Sequence, residues 1–192
     1  MSTDSKQISK EISEQAEKRV KELQAKYPDA RSAIMPALYI AQEELGYLNK
    51  EAIHWVSDMI GISPAHVMEV ATFYTMYYKN PVGKFHFQVC RTLSCALRGA
   101  GCLTKHLKEK FDLEPHEVSK DGRWSFEEVE CLGSCGSAPM VEVNDRYFEN
   151  LTPEKLDELI AAIEKSEPDL RYSAKENRLG DGLGSYPKSE IL

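Results

Sequence analysis

All five cysteines of this 192-residue chain lie in one stretch, residues 90–135. Four of them form two closely spaced pairs: Cys90 with Cys95, and Cys131 with Cys135. Each pair follows a segment whose pattern predicts a β-strand, residues 85–89 for the first pair and 124–130 for the second. Because the end of a strand holds the following loop rigidly, we expect the pairs to bind a metal centre rather than form a disulfide framework.

Four thiolates can hold a [2Fe–2S] cluster, with two sulfurs for each iron. The pairs enclose four and three residues, which leaves room for a group wider than a single ion. Gly133 and Gly136 in the second loop would let backbone N–H groups approach the cluster sulfurs. Arg91 and Arg98 beside the first pair would help an anionic cluster accept an electron. Nearby glutamates would oppose that effect: Glu127, Glu128 and Glu130.

Three other uses of the cysteines stay open on this evidence. A structural zinc site usually has C-x2-C pairs, because one small ion needs a tight chelate loop. A thiol–disulfide oxidoreductase usually has C-x-x-C, and that spacing does not occur in the sequence. The cysteines could also be ordinary buried small side chains, although two pairs in matched contexts argue against it. The spacing favours the cluster.

The other candidate residues predict no further chemistry. Cys102 has no partner nearby in the sequence and is predicted to be a free, partly buried thiol within a helix. The five histidines are scattered, with no two at ligand spacing. Residues 180–184 are rich in glycine, but no strand precedes them and no helix follows, so they do not predict a dinucleotide site. We therefore expect no catalytic residue on this chain.

The charge balance restricts the partners. The chain has 24 Lys and Arg against 31 Asp and Glu, a formal net charge of −7. An acidic chain without a basic stripe argues against nucleic acid or an anionic membrane surface as the partner. Apolar runs such as residues 33–41 are much shorter than the roughly 18 residues of a membrane span. The N-terminus resembles neither a secretory signal nor an import signal, which predicts a cytosol-like compartment.

The first 80 residues predict a small bundle of four helices. The first helix spans residues 6–25 and has a thin apolar stripe. The second runs from a Ser32 cap to Leu45, and the third runs from an Asn49 cap to about residue 61. Ser63 followed by proline opens the fourth.

Helices and strands alternate from residue 81. Apolar and polar residues alternate over 85–89, which predicts a half-buried strand. A helix over residues 97–111, a strand over 124–129 and a hairpin over 140–148 follow, and a final helix runs from Pro153 to about residue 165. The order β-α-β-β-α predicts a thioredoxin-like arrangement.

The predicted fold class is α+β, with three regions. Residues 1–80 are the N-terminal helical domain and residues 81–165 are a thioredoxin-like [2Fe–2S] ferredoxin domain. Residues 166–192 are polar, without a periodic apolar pattern, and are predicted to be an extended tail that is disordered or lies along a partner.

Several motifs together resemble one family, the thioredoxin-like [2Fe–2S] subunit of bacterial NADH:quinone oxidoreductase (respiratory complex I). The matching segments are Val-Ala-Thr-Phe-Tyr at 70–74, Cys-Arg-Thr-Leu-Ser-Cys at 90–95, Leu-Arg-Gly-Ala at 97–100, and Cys-Leu-Gly-Ser-Cys at 131–135 with Ala138-Pro139. The resemblance covers roughly residues 20–165, and both cysteine spacings agree with it.

The resemblance implies that Cys90, Cys95, Cys131 and Cys135 are the four cluster ligands. It implies a partner subunit that binds NADH and FMN, with whose flavin the cluster exchanges one electron. Further peripheral-arm subunits are expected, with the complex on the cytoplasmic side of the inner membrane. The chain would belong to an NADH dehydrogenase without a complete active site of its own. By analogy with thioredoxin folds, the Ala138-Pro139 bond could be cis.

Other functions compatible with the residues are the equivalent small diaphorase subunit of an NAD-linked hydrogenase or formate dehydrogenase, and a zinc-stabilised interaction module. A thiol oxidoreductase is the third.

Overall fold

The computed structural model describes residues 12–180 and residue 182. The chain divides into two units, of which the first comprises Met1–Pro81 with Ala174–Glu176. The second unit comprises Val82–Ser173 with Asn177–Leu192. None of the helices in the described part has the length and apolar character that crossing a bilayer requires. The mixture of helices and sheet confirms the predicted α+β class.

The described part of the first unit contains four α-helices: α1 (Glu14–Gln24), α2 (Ile34–Leu45), α3 (Lys50–Ile60) and α4 (Pro64–Phe73). In α1 only Ala16 and Val20 are buried, so its apolar stripe is thin as predicted. The predicted start of this helix, residues 6–11, lies outside the described residues. Gln42 is buried in α2. Its side-chain amide donates a hydrogen bond to the carbonyl oxygen of Met76 and accepts one from the backbone N–H of Tyr78, which holds the chain after α4 against α2.

The helix ends were largely predictable from capping residues. Asn49 Oδ1 accepts a hydrogen bond from Ala52 N at 2.8 Å, and Ser63 Oγ accepts one from His66 N, so both predicted N-caps are confirmed. The Ser32 cap is wrong. Asp29 instead caps a short 3₁₀ turn that precedes α2, and its carboxylate accepts from Arg31 N.

A four-stranded sheet forms the centre of the second unit. Its strands are β1 (Phe85–Cys90), β2 (Trp124–Val129), β3 (Val141–Val143) and β4 (Arg146–Phe148), in the order β2-β1-β3-β4. β1 and β2 run parallel, while β3 pairs antiparallel with both β1 and β4. The predicted strand at 124–129 and the hairpin are confirmed.

One core joins the sheet to the helices α6 (Ala100–Phe111) and α7 (Pro153–Ser166). Phe87 and Phe126 lie opposite each other on β1 and β2, and neither is exposed to solvent. Leu107 of α6 and Leu159 of α7 belong to the same buried cluster. Burial of these large side chains is the main force that holds the sheet and helices together.

The second face of β1 is buried as well, so the prediction of a half-buried strand is wrong. His86 and Gln88 are each only 2% exposed. His86 Nδ1 bonds Ser125 Oγ at 2.8 Å, and Gln88 Nε2 donates to Glu127 Oε1 at 2.8 Å. Buried polar groups are tolerated when they are hydrogen-bonded, which explains how an alternating pattern can occur in a fully buried strand.

The predicted helix over 97–111 is confirmed only from Ala100, where α6 begins. Leu97 is instead the last residue of a separate short helix, α5 (Leu93–Leu97). Gly99 lies between them with a φ of +98°, a left-handed conformation that other residues rarely adopt. In one continuous helix, Leu97 would share an apolar stripe with residues 100, 103 and 107. It is 79% exposed instead, because the break turns it away from the core.

The segment after α7 contains a short antiparallel hairpin of β5 (Tyr172–Ser173) and β6 (Arg178–Leu179), which the sequence did not predict. Leu170, just before it, is buried in the core of the second unit. Tyr172 N donates to Asp145 Oδ2 at 2.7 Å. Residues 181 and 183–192 of the predicted tail lie outside the described residues.

Substitution of Gly83, just before β1, tests how closely the chain approaches β2 there. A Cβ at Gly83 would lie 2.6 Å from the backbone carbon of Trp124, whereas one at Gly101 in α6 would meet open space. We expect Gly83→Ala to destabilise the protein by roughly 1–3 kcal/mol. Gly101→Ala should stabilise it by about 0.5–1 kcal/mol, since alanine favours a helix. Melting temperatures of the two cluster-loaded variants check this, and equal effects would contradict it.

Substitution of Glu142 on β3 tests the burial of the sheet face that carries His86 and Gln88. Burial and the charge of Asp145 raise the pKa of Glu142 to about 7. The pKa is higher in the folded state, so the stability that this group contributes is lost as the pH rises through about 7. Glu142→Gln should therefore gain stability over wild type as the pH rises. We expect its advantage in melting temperature to grow by about 2–4 °C between pH 6 and 8.5. An advantage independent of pH would contradict this.

Candidate metal centre

The parallel pairing of β1 with β2 brings the two cysteine pairs together. Cys90 is the last residue of β1 and lies opposite Val129, the last residue of β2. Cys131 follows two residues later. Because parallel strands end at the same edge of a sheet, the loops that carry both pairs leave from neighbouring positions.

The two pairs differ in exposure. Cys90 and Cys95 are each 2% exposed; Cys90 ends β1 and Cys95 lies within α5. Their side chains are hydrogen-bonded to each other. Cys131 and Cys135 are exposed, with their sulfurs 3.6 Å apart. We call the first two the inner pair and the other two the outer pair.

Residues 90–95 carry the inner pair and are called the inner loop, and residues 131–137 carry the outer pair and are called the outer loop. The two loops are joined by hydrogen bonds. The backbone N–H of Leu132, in the outer loop, donates to the sulfur of Cys90. The hydroxyl of Ser94, in the inner loop, is hydrogen-bonded to Cys135. Cys95 and Cys135 are close enough to interact electrostatically. The four thiols that the sequence predicted as ligands therefore lie together at one edge of the sheet.

Backbone amides prepare the site for negative charge. Burial alone would raise the pKa of Cys90, but N–H donors from Thr92 and Leu132 hold it below its usual value. Burial and the neighbouring Cys90 raise the pKa of Cys95 to about 11. Gly133 N donates to the Cys131 sulfur at 3.4 Å. To hold a metal centre the thiols would lose their protons, and these N–H donors would then face thiolate sulfur.

The donor set fits a two-iron cluster, because four sulfurs in two pairs supply two ligands for each iron. In residues 12–180 and residue 182, no three His, Cys, Asp or Glu side chains are grouped as a single metal ion would need. Cys102 does not join the site. It lies in α6 and is exposed, so the prediction of partial burial is wrong.

The charges around the site differ from the sequence expectation. Arg91 lies beside the inner pair, but its guanidinium contacts Glu130 at 2.6 Å. Hydrogen bonding to Glu130 raises the pKa of Arg91, and the charges of the pair largely cancel. Glu127 is directed into the polar face of the sheet, where it contacts His86. Sequence reasoning missed three residues that contact the outer loop, and no local pattern marks them: Tyr147, Glu149 and Asn150.

The sequence matches the thioredoxin-like [2Fe-2S] ferredoxin family over residues 20–164. It is 48% identical over 138 residues to a subunit of the NADH-quinone oxidoreductase of Rickettsia bellii, across 70% of this chain and 83% of that protein. It is 46% identical over 142 residues to NADH-quinone oxidoreductase subunit 2 of Thermus thermophilus, across 72% of this chain and 78% of that protein. These matches confirm the predicted thioredoxin-like domain and the resemblance.

A solved structure shares the fold. An NAD+-reducing [NiFe]-hydrogenase in the air-oxidized state superposes with a TM-score of 0.58 at 20% sequence identity. The superposition covers 74% of this chain and 25% of the hydrogenase chain. At this identity the likeness shows a common fold.

Replacing the cysteines one at a time tests the ligand set. Cys90→Ser, Cys95→Ser, Cys131→Ser and Cys135→Ser should each lower the iron and sulfide content or speed cluster loss, because each change weakens one of the four ligands. Cys102→Ser is the matched control and should keep the wild-type content. Iron and sulfide assays with visible absorption measure this. A variant with unaltered content and stability would remove that residue from the ligand set.

Proposed function

Since this chain belongs to the thioredoxin-like [2Fe–2S] ferredoxin family, we propose that it is the electron-transfer subunit of an NADH:quinone oxidoreductase. The family cofactor is a [2Fe–2S] cluster, and the inner and outer cysteine pairs are its proposed ligands. The observation that carries the proposal is the meeting of four thiols where the adjacent strands β1 and β2 end. The domain division at residues 80/81 and 165/166 is part of the same proposal.

The residues around the pairs suit electron transfer. When bound, the cluster takes up and releases one electron. The inner pair is shielded from water, and the N–H groups of Thr92, Leu132 and Gly133 face its sulfurs or those of the outer pair. Such donors stabilise the added negative charge of the reduced state. The exposed outer pair leaves one side of the site open to a redox partner.

The proposed partner is a flavoprotein subunit that binds NADH and FMN. Two relatives at 46–48% identity carry the name of NADH-quinone oxidoreductase subunits, which supports this assignment. The proposal includes further peripheral-arm subunits and a position on the cytoplasmic side of the inner membrane. The oxidoreductase activity then belongs to the assembly, and this chain contributes the electron carrier.

A hydrogenase-type diaphorase is the second candidate. The superposition on the NAD+-reducing [NiFe]-hydrogenase supports it through the fold alone. Sequence identity to the quinone oxidoreductase subunits is more than twice as high, 48% against 20%, and favours the first assignment.

The first test is the metal content of anaerobically purified protein. We expect about two irons and two sulfides per chain, and an S = 1/2 EPR signal after reduction with dithionite. Zinc, or free thiols without metal, would overturn the electron-transfer role and favour an interaction module or a thiol oxidoreductase.

The second test concerns the partner. NADH should reduce the cluster only when the flavoprotein subunit is present, because this chain is proposed to bind neither NADH nor flavin. EPR after rapid freezing of the reconstituted pair measures the reduction, and the chain with NADH alone is the control. Reduction by NADH without the flavoprotein, or none with it, would contradict the proposed route.

A further inference from the structure

The end of β4 and the residues after it form hydrogen bonds with the outer loop. The hydroxyl of Tyr147, in β4, donates to the carbonyl oxygen of Leu132 at 3.0 Å. Two residues beyond β4, the backbone N–H of Asn150 donates to the carbonyl oxygen of Ser137 at 2.8 Å. Between these two contacts lies Glu149, whose side chain reaches into the same loop.

Glu149 binds two hydroxyls of the loop with a single oxygen. Its Oε1 accepts a hydrogen bond from Ser137 Oγ at 2.5 Å and another from Ser134 Oγ. The two serine hydroxyls are also 2.9 Å from each other. Ser134 directly precedes Cys135, and Ser137 follows it by two residues, so the carboxylate holds the chain on both sides of an exposed cysteine.

The position of Glu149 has a consequence for the metal centre. Its Oε1 is hydrogen-bonded to hydroxyls before and after Cys135, so its side-chain charge lies beside the outer pair. Nearby negative charge lowers the reduction potential of an iron–sulfur cluster, because it opposes the added electron. Glu149 therefore disfavours reduction.

We propose that Glu149 is a positioning residue of the metal centre: Glu149 fixes the outer loop through Ser134 and Ser137 and lowers the reduction potential of the cluster. This inference rests on the proposed ligand role of Cys131 and Cys135. All three side chains are half-buried, so the interaction is weakened less by solvent than that of an exposed pair such as Arg91 with Glu130.

Two substitutions separate the charge from the hydrogen bonds. In Glu149→Gln the amide oxygen can still accept from both serines, but the negative charge is lost. Glu149→Ala removes the charge and the acceptor together, which leaves the loop without its side-chain anchor. Glu164→Gln is the matched control, because it makes the same charge change on an exposed residue of α7.

The readouts are the midpoint potential from an EPR-monitored redox titration and the rate of cluster loss to a chelator, both on the cluster-loaded full chain. We expect Glu149→Gln to shift the midpoint to a more positive potential while its rate of cluster loss stays near wild type. Glu149→Ala should shift the midpoint the same way and lose its cluster about ten-fold faster. Glu164→Gln should match wild type in both measurements.

An unchanged midpoint in Glu149→Gln, or an equal shift in Glu164→Gln, would overturn the inference. Wild-type loss rates in Glu149→Ala would overturn the positioning role. Iron and sulfide content of the wild-type chain is measured first, so that failure of the cluster assignment itself is recognised separately. Far-UV circular dichroism of each variant shows that its fold is retained.

Discussion

The parallel pairing of β1 with β2 is the interaction on which the site depends. It places Cys90 and Val129 side by side, so two loops that are distant in sequence leave the sheet at neighbouring points. Phe87 and Phe126, opposite each other and fully buried, hold that pairing against α6 and α7. The chain also approaches β2 so closely at Gly83 that a side chain would not fit. The core and the metal centre therefore share the same strands.

The difference in exposure between the pairs gives the site two distinct sides. The inner pair, with Cys90 at the end of β1 and Cys95 within α5, is buried by the surrounding chain. The loop that carries the outer pair is held by hydrogen bonds from β4 and the residues after it. One side thus obtains its geometry from burial and the other from polar contacts. A site of this kind can be open to a partner without becoming mobile.

Local signals predicted much of this molecule. The Asn49 and Ser63 caps and the hairpin are short-range patterns, and the structure confirms them. The two cysteine spacings are short-range patterns as well, and the ligand set inferred from them stays a prediction. The break at Gly99 was missed because Leu97 fits an apolar stripe, although the glycine marks the left-handed turn. The β5–β6 hairpin and the Glu149 contact depend on where distant segments meet, which no pattern within either segment encodes.

The buried polar face of the sheet also bears on the fidelity of folding. His86 lies opposite Ser125, and Gln88 lies opposite Glu127, and these pairs are joined by side-chain hydrogen bonds. A one-residue slip of β2 would bury these groups against phenylalanines without partners, which costs far more than the slip of an all-apolar strand. The polar pairs therefore favour the correct register of β1 and β2. By rejecting the wrong strand register, they keep the four thiols together at the same edge of the sheet.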